Sequence, residues 1–417
     1  MLKRINVRLA IVYLAAASVG LSMAIISIAK LLLTLCALTT PLWSRRPSGT
    51  PRPLAGSWTP AAVLITFFAF AFSLLWSVAP QAEALGSLAK HSKLIILILM
   101  MQLIRDRREA LYALAAFGLG QLFLLASASM LFMHLPVPWA TSDMALQESS
   151  VFTSYIGQGI INAVFAALCW HFRFLLPGRF GRQLAVFVAL VALGNVFFVL
   201  SGRTGHVVAI ALLSIAIMWE LPKRYRAIVV LLPFVLALGL YAGSSKVRER
   251  LNLINTEVHS YSSSQEPSTS SGLRLNFWTK SIQLIAQHPL TGSGVGSWLP
   301  EFTRIEHEKN PAHQVGGHGN PHQEYLLWGV ELGLPGIWLF IGLLLCIWRD
   351  SLRMETPYAR ATQSTLLALA VACLFNSSLY DAYIGSFFCV LTGLLLALGL
   401  NQKTGSTTAQ PQHESAT

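Results

Sequence analysis

Twelve predominantly apolar stretches run through this 417-residue sequence. A helix needs about 20 apolar residues to cross a bilayer, so the chain is predicted to form about twelve transmembrane helices. They cover residues 6–22, 24–43, 60–78, 92–104, 109–133, 153–172, 183–200, 204–220, 227–243, 326–348, 361–380 and 382–400. The first two stretches are interrupted only by Gly20, Ser22 and Lys30, so one long tilted helix is the alternative there. The predicted fold class is an all-α polytopic membrane protein.

Composition supports this prediction. Charged residues make up 12% of the chain and apolar residues 54%, with a mean hydropathy of +0.57. A soluble protein carries about 25% charged residues. Most of the chain is therefore expected to lie in lipid. The five cysteines all fall inside apolar stretches without a CxxC pair, which is typical of small buried side chains.

The net charge of +12 would by itself suggest nucleic-acid binding. The basic residues, however, fall in triplets between apolar stretches, where they act as topology signals. With both termini in the cytoplasm, the triplets all lie inside: Lys3, Arg4, Arg8; Arg45, Arg46, Arg52; Arg105, Arg107, Arg108; Arg173, Arg179, Arg182; Lys223, Arg224, Arg226; Arg349, Arg353, Arg360. This distribution favours twelve helices over eleven and argues against a nucleic-acid partner.

The chain divides around one long outer segment. Residues 1–243 hold predicted transmembrane helices 1–9, 244–325 form the outer loop region, 326–400 hold helices 10–12, and 401–417 form a disordered cytoplasmic tail. Within the loop, GLRLNFWTKSIQLIAQHP has helical spacing at Leu275, Trp278, Ile282 and Ile285. We expect a short helix there, capped by Ser271 or Gly272.

Basic residues on the outer face run against the sorting tendency and suggest a bound anion. Arg203 lies in SGRTG, where Gly202 and Gly205 would let the backbone approach a ligand closely. Arg274 is expected in the first turn of the outer helix, where free N–H groups also bind anions.

Two guanidinium groups suit a diphosphate. Each arginine has a simpler alternative: Arg203 could extend to the lipid headgroups, and Arg274 could be exposed to solvent on the surface of its helix. Lys90, predicted in a short outer connection with His91 and Lys93, is a weaker third candidate that could also be interfacial.

His322 stands at the entry to the tenth predicted helix, in HGNPHQEYLLWGVELGLPG. A neutral imidazole there can remove a proton from a hydroxyl group. Glu331, nine residues on, could hold a partner or be a structural hydrogen-bonding group. Gly333, Pro335 and Gly336 are typical of close packing and a helix kink.

Two other patterns near His322 are weaker. A metal site is conceivable from His307, His313, His318, His322, Glu306, Glu308 and Glu324, but their spacing is irregular, so no metal is expected. GSGVG at 292–296 lacks the GK[ST] ending of a phosphate-binding loop and favours a flexible turn.

Three motifs resemble the O-antigen ligase/polymerase (Wzy_C) superfamily, above all O-antigen ligases of the WaaL type: SGRTG, GLRLNFWTKSIQLIAQHPLTGSGVGSW and NPHQEYLLWGVELGLPGI. The likeness extends over about residues 190–400. It implies a GT-C-like glycosyltransferase of the Gram-negative inner membrane, with an active site facing the periplasm and no cofactor. Arg203, Arg274 and His322 match the family's essential residues, although many relatives have His-Asn where this chain has His322-Gln323.

By this resemblance, the enzyme would transfer O-antigen polysaccharide from undecaprenyl diphosphate to a sugar hydroxyl of lipid A–core, inverting the anomeric centre without a metal ion. An O-antigen polymerase or a protein O-oligosaccharyltransferase of the same superfamily remains the near alternative. A twelve-span transporter is a more distant one, because the polar candidates gather at one face and no internal repeat is visible.

Overall fold

The computed structural model describes residues 6–43, 56–140, 149–243, 245, 248–249, 270–309 and 319–401. These residues form helices and turns, and no strand occurs among them. The helices are α1 (Val7–Ser18), α2 (Met23–Trp43), α3 (Thr59–Phe72), α4 (Gln81–His91), α5 (Leu94–Leu103), α6 (Arg107–Phe132), α7 (Tyr155–Phe172), α8 (Gly178–Gly194), α9 (Arg203–Glu220), α10 (Leu232–Gly243), α11 (Ser270–Gln287), α12 (Trp298–Lys309), α13 (Glu324–Leu332), α14 (Leu334–Ser351), α15 (Thr356–Phe375) and α16 (Ala382–Leu400).

Eight helical segments of the described chain are long and apolar enough to cross a membrane: Gln81–Leu103, Arg107–Phe132, Tyr155–Phe172, Gly178–Val199, Arg203–Glu220, Leu334–Ser351, Thr356–Phe375 and Ala382–Leu400. Four shorter apolar helices accompany them: Val7–Ser18, Met23–Thr39, Thr59–Leu75 and Leu232–Gly243. Each predicted stretch overlaps one of these segments. The chain is therefore a polytopic helical membrane protein, and a count of twelve spans stays a prediction.

The first apolar region forms two helices rather than one long helix. α1 ends at Ser18 and α2 begins at Met23, with Gly20 at φ 90° in the turn between them. The turn is held from α6, because the Gln121 side chain donates to the Val19 carbonyl at 2.8 Å. The single tilted helix is thus wrong for this chain.

The predicted stretch 326–348 is not one helix either. It is divided at Gly333, whose φ of 71° ends α13, and α14 starts at the next residue. A side chain could not occupy this position, since a Cβ atom would lie 2.6 Å from the Pro289 carbonyl oxygen. The kink expected from Gly333, Pro335 and Gly336 is therefore a complete break, and α13 is a separate nine-residue helix.

α16 lies in the middle of the bundle. In its most apolar part, 94% of the residues are buried inside the protein. The helix packs against α5, α6 and α15. Gly393 makes the contact with α5 close, because a Cβ atom there would lie 2.7 Å from the Leu97 carbonyl oxygen. A helix that is apolar on all sides is expected in such a central position.

Contacts at one end of the bundle join residues from the basic triplets. Arg8 pairs with Glu109, Arg107 donates to the Tyr358 hydroxyl at 3.0 Å, and both Arg173 and Arg360 approach Glu220, at 3.3 and 3.6 Å. The opposite end carries Arg203, Arg274 and His322. The two ends therefore differ in chemistry, in agreement with the helix directions inferred from the positive charges.

Candidate functional site

Arg203 is the first residue of α9 and follows an irregular segment. α8 passes through a π-helical turn, Asn195–Val199, and the chain is extended at Leu200 before α9 begins. Such turns are frequent at functional sites. The Arg203 side chain is half-buried, and its Nη1 donates to the Ser271 Oγ of α11 at 2.7 Å.

Arg274 reaches the same place from α11. Its Nη2 donates to the Asn376 Oδ1 at 3.4 Å, and the Asn376 Nδ2 donates to the Thr204 Oγ1 at 2.9 Å. Asn376 directly follows α15 and is only 8% exposed. We call the five residues Arg203, Thr204, Ser271, Arg274 and Asn376 the arginine network, which joins three distant parts of the chain.

Two details of the arginine site add to the expectation. Gly202 and Gly205 allow close helix packing, since a Cβ atom on either would lie 3.0–3.1 Å from the backbone of α7. The close approach of a ligand to this backbone stays a prediction. In addition, α11 begins at Ser270, so Arg274 is its fifth residue and lies just beyond the first turn.

His322 lies in a tight turn immediately before α13. Its φ is 52°, and its backbone N–H donates to the Asn320 Oδ1 at 2.9 Å. The imidazole ring stacks on Phe277 with ring centroids 6.1 Å apart. Because Phe277 lies one helical turn from Arg274 on α11, the same helix supports both the histidine and the arginine.

The amide of Gln323 caps α13 by accepting from the Leu326 N–H at 2.6 Å. Position 323 thus has a local structural role in this chain. Its side chain fixes the start of the helix that follows His322.

Glu324 ties α13 to the turn formed by residues 376–381. Its Oε2 accepts from the Leu379 and Tyr380 N–H groups at 2.9 and 3.0 Å, and its Oε1 accepts from the Trp328 Nε1 at 2.8 Å. The side chain is fully buried, and this burial raises the pKa of the Glu324 carboxyl. The contact fixes the position of Asn376 relative to His322, and this long-range contact was not predicted from the sequence.

Glu331 has a structural role. It is fully buried, and its carboxylate accepts from the Ser87 Oγ at 3.1 Å and the Gly296 N–H at 2.7 Å. The His91 Nε2 lies 3.0 Å from its other oxygen. Of the two roles left open for Glu331, structural bonding is therefore the observed one, away from the arginine network.

The GSGVG turn is bonded to the same helix. The Ser293 and Gly294 N–H groups donate to the Val330 and Glu331 carbonyls, each at 2.9 Å. Together with the Gly296 N–H bound by Glu331, these amides are used within the protein. The turn is thus held in place and does not present these three N–H groups to a phosphate.

Lys90 lies in the helical segment Gln81–Leu103, not in a short connection as predicted. Residues 81–91 look polar by sequence, but they form the amphipathic helix α4, which continues through a brief turn into α5. The Lys90 Nζ contacts the Tyr380 hydroxyl at 3.3 Å and lies 4.3 Å above its ring. Burial raises the pKa of Tyr380 to about 12, so its phenol stays protonated.

The residues of the conceivable metal site do not converge where the structure describes them. Glu306 pairs with Lys280 at 3.3 Å, and His307 is exposed on α12, a helix that the sequence did not predict. His313 and His318 lie outside the described residues. Among the described residues, no group of three or more His, Cys, Asp or Glu side chains could hold a metal ion.

Comparisons with known proteins concern the same part of the chain. The family model described as O-Antigen ligase (Wzy_C) matches residues 186–341, which include Arg203, Arg274 and His322. The chain is also similar to a protein of Haemophilus influenzae described as uncharacterized, with 24% identity over 297 residues, 68% of this chain and 70% of that relative. The family match over residues 186–341 supports the resemblance of the three motifs to the O-antigen ligase/polymerase superfamily.

Proposed function

We propose that this chain is an O-antigen ligase. In this proposal it moves O-antigen polysaccharide from undecaprenyl diphosphate to a sugar hydroxyl of lipid A–core, with inversion at the anomeric carbon and without a metal ion. The observation that supports it most is the arginine network. In this network the Arg203 guanidinium donates to Ser271 of the helix that carries Arg274, and the buried Asn376 amide joins Arg274 to Thr204, the neighbour of Arg203.

The donor would bind through its diphosphate. Arg203 and Arg274 present planar N–H donors, which match phosphate oxygens in charge and in geometry. The diphosphate gains negative charge when its bond to the sugar breaks. Two prepositioned arginines stabilise that charge and so take the role that a metal ion has in many transferases.

His322 would act as the general base. It accepts the proton of the acceptor hydroxyl while that oxygen forms a bond to the anomeric carbon, and undecaprenyl diphosphate leaves with the electron pair of the broken C–O bond. Phe277 supports the imidazole ring from the helix that carries Arg274. The protein thus supplies proximity and electrostatics to an already activated donor.

The proposal includes an orientation. The arginine network would face the periplasm of a Gram-negative inner membrane, with both chain termini in the cytoplasm. The basic end of the bundle, where Arg8, Arg107, Arg173 and Arg360 meet, supports this orientation through the positive-inside rule.

The experiment that tests the function offers a choice of acceptor. The purified full-length chain in nanodiscs receives lipid-linked O-antigen together with lipid A–core, a growing O-antigen chain or a pilin-like protein. We expect the polysaccharide on lipid A–core. Elongated O-antigen would identify a polymerase instead, and glycosylated protein would identify an oligosaccharyltransferase.

A second arm concerns the metal. Transfer to lipid A–core should continue in the presence of a strong chelator. If activity disappears with the chelator and returns with a divalent cation, the metal-free mechanism is wrong.

A further inference from the structure

A second cationic site lies on the other side of the 376–381 turn. A cavity of about 430 Å³ opens between α2, the α4–α5 segment and the start of α16. Its wall contains three lysines and several apolar side chains: Lys30, Lys90, Lys93, Leu31, Ile95 and Ile96. Among the residues that the structure describes, no aspartate or glutamate lines it.

The three ammonium groups bind neutral oxygens of the protein. Lys93 is 6% exposed and donates to the Tyr380 and Asp381 carbonyls, each at 2.7 Å. Lys30 donates to the Ser386 Oγ at 3.2 Å, and Lys90 contacts the protonated Tyr380 hydroxyl. Within the described ranges, none of the three lysines forms an ion pair with a carboxylate.

Asp381, whose backbone carbonyl accepts from Lys93, already uses its carboxylate elsewhere. The Asp381 Oδ1 accepts from the Tyr383 and Ile384 N–H groups, both at 2.8 Å, and so caps α16. The cavity therefore concentrates positive charge beside apolar walls. Such an arrangement in a membrane protein is costly unless an anion enters it.

The walls indicate what kind of anion fits. Lys30 lies seven residues after the first residue of α2, about 10 Å from the start of that helix. The residues of α2 that follow Lys30 are mainly apolar. A lipid with a phosphorylated headgroup matches both features, because its phosphate can meet the ammonium groups while its chains follow the apolar walls. A soluble phosphate would use only half of this surface.

The turn separates this cavity from the arginine network. Asn376, at its start, accepts from Arg274, whereas Tyr380, four residues later, is contacted by Lys90 and Lys93. A transferase with a lipid-linked donor and a lipid acceptor needs a place for each. We propose that Lys30, Lys90 and Lys93 bind a phosphate group of the phosphorylated acceptor glycolipid, an inference that rests on the proposed function.

The test measures binding rather than transfer, so it can fail independently of the proposed function. The full-length chain in nanodiscs is titrated with phosphorylated lipid A, with enzymatically dephosphorylated lipid A, with phosphatidylglycerol and with undecaprenyl diphosphate. The variants are the double substitution Lys30→Gln/Lys90→Gln, the charge-preserving Lys90→Arg, and Lys223→Gln as a matched control, which removes an exposed lysine at the opposite end of the bundle. Lys93 is left intact because it holds two backbone carbonyls.

We expect the double variant to bind phosphorylated lipid A about tenfold or more weakly. Its binding of dephosphorylated lipid A and of undecaprenyl diphosphate should equal that of the wild type. Lys90→Arg and Lys223→Gln should retain binding.

Three results would overturn the proposal. Loss of undecaprenyl diphosphate binding in the double variant would assign the lysines to the donor. An equal loss for phosphatidylglycerol would indicate a site for bulk anionic lipid. Unchanged affinity for phosphorylated lipid A would remove the site altogether. Failure of the proposed function has a different signature, which is absence of transfer by a wild-type chain that still binds the lipids.

Discussion

Arg274 donates to the side-chain carbonyl of Asn376 across 3.4 Å, although the two residues are 102 positions apart in the chain. The same amide donates to Thr204, the neighbour of Arg203. One asparagine thus connects the Arg274 guanidinium on α11 with the first turn of α9, which carries Arg203. Each of the first three predictions concerns these two arginines or His322.

Alanine at Arg203 or Arg274 should lower transfer by roughly 100- to 1000-fold, because each guanidinium stabilises the charge of the leaving diphosphate. The measurement is transfer of O-antigen to lipid A–core, with the amount of membrane-inserted protein determined in parallel. Arg304→Ala is the matched control. Like Arg203 and Arg274, this arginine lies outside the predicted transmembrane helices. It differs from them because it pairs with Glu301 and Glu308 at 2.6 and 2.7 Å. Wild-type transfer by Arg203→Ala or Arg274→Ala would contradict the assignment.

Asn376→Asp should weaken donor binding about tenfold or more. The new carboxylate would pair with Arg274 and compete with the diphosphate for its charge. Binding of undecaprenyl diphosphate in nanodiscs measures the effect. The paired variants Thr204→Ser and Thr204→Val provide the control, since serine keeps the hydroxyl that Asn376 contacts and valine removes it. Equal donor binding by all of these variants would show that the network has no part in it.

His322→Ala should abolish most transfer, by roughly 100- to 10,000-fold, while donor binding is retained. A base acts on the acceptor proton, so its removal affects the chemical step and leaves the arginines in place. Single-turnover rates and undecaprenyl diphosphate affinity separate the two effects. His307→Ala, at an exposed position on α12, is the control and should behave like the wild type. Loss of donor binding in His322→Ala would argue for a structural histidine.

Glu331→Ala should destabilise the fold by about 2 kcal/mol or more, because the buried Ser87 and His91 side chains and the partly buried Gly296 N–H would lose their acceptor. Glu331→Gln keeps an acceptor oxygen and should cost less. Thermal unfolding in detergent measures the difference, with the exposed Glu308→Ala as control. A Glu331→Ala protein of normal stability with impaired transfer would instead return this residue to the active site.

Two glycines of α6 provide a test of the bundle itself. A Cβ atom on Gly120 would lie 2.2 Å from the Ala17 carbonyl of α1, whereas one on Gly118 would meet nothing within 4 Å. Gly120→Ala should therefore lower stability by about 1–3 kcal/mol. Gly118→Ala should leave it unchanged or raise it slightly, since alanine favours a helix. The same shift in both variants would contradict the packing of α1 on α6.

Arg203, Arg274 and His322 could be found from the sequence because each stands beside a local signal. Arg203 interrupts the apolar pattern between two glycines, Arg274 lies in an outer segment with helical spacing, and His322 precedes an apolar stretch. Asn376 and Glu324 have no such signal. Their importance arises from contacts with Thr204 and with the 376–381 turn, and one sequence shows no contact over such separations.

The positions of the helices were also predictable in part from local sequence and decided in part by long-range contacts. The apolar stretches of the sequence predicted where helices form, because burying backbone amides in lipid requires helical hydrogen bonding. The break at Gly333 and the full burial of α16 were decided by packing. At position 333 any side chain would collide with the Pro289 carbonyl. The apolar helix α16 is surrounded by other helices rather than by lipid.

The sequence by itself therefore determined a polytopic helical chain with a basic end and an outer segment that carries Arg274 and His322. Only the tertiary structure decided that Asn376 connects Arg274 with Thr204, that Glu331 bonds to Ser87 and Gly296, and that Lys30, Lys90 and Lys93 line one cavity. Hydropathy and spacing depend on neighbours along the chain. These three arrangements depend instead on which helix ends meet, and that is fixed by the packing of the whole bundle.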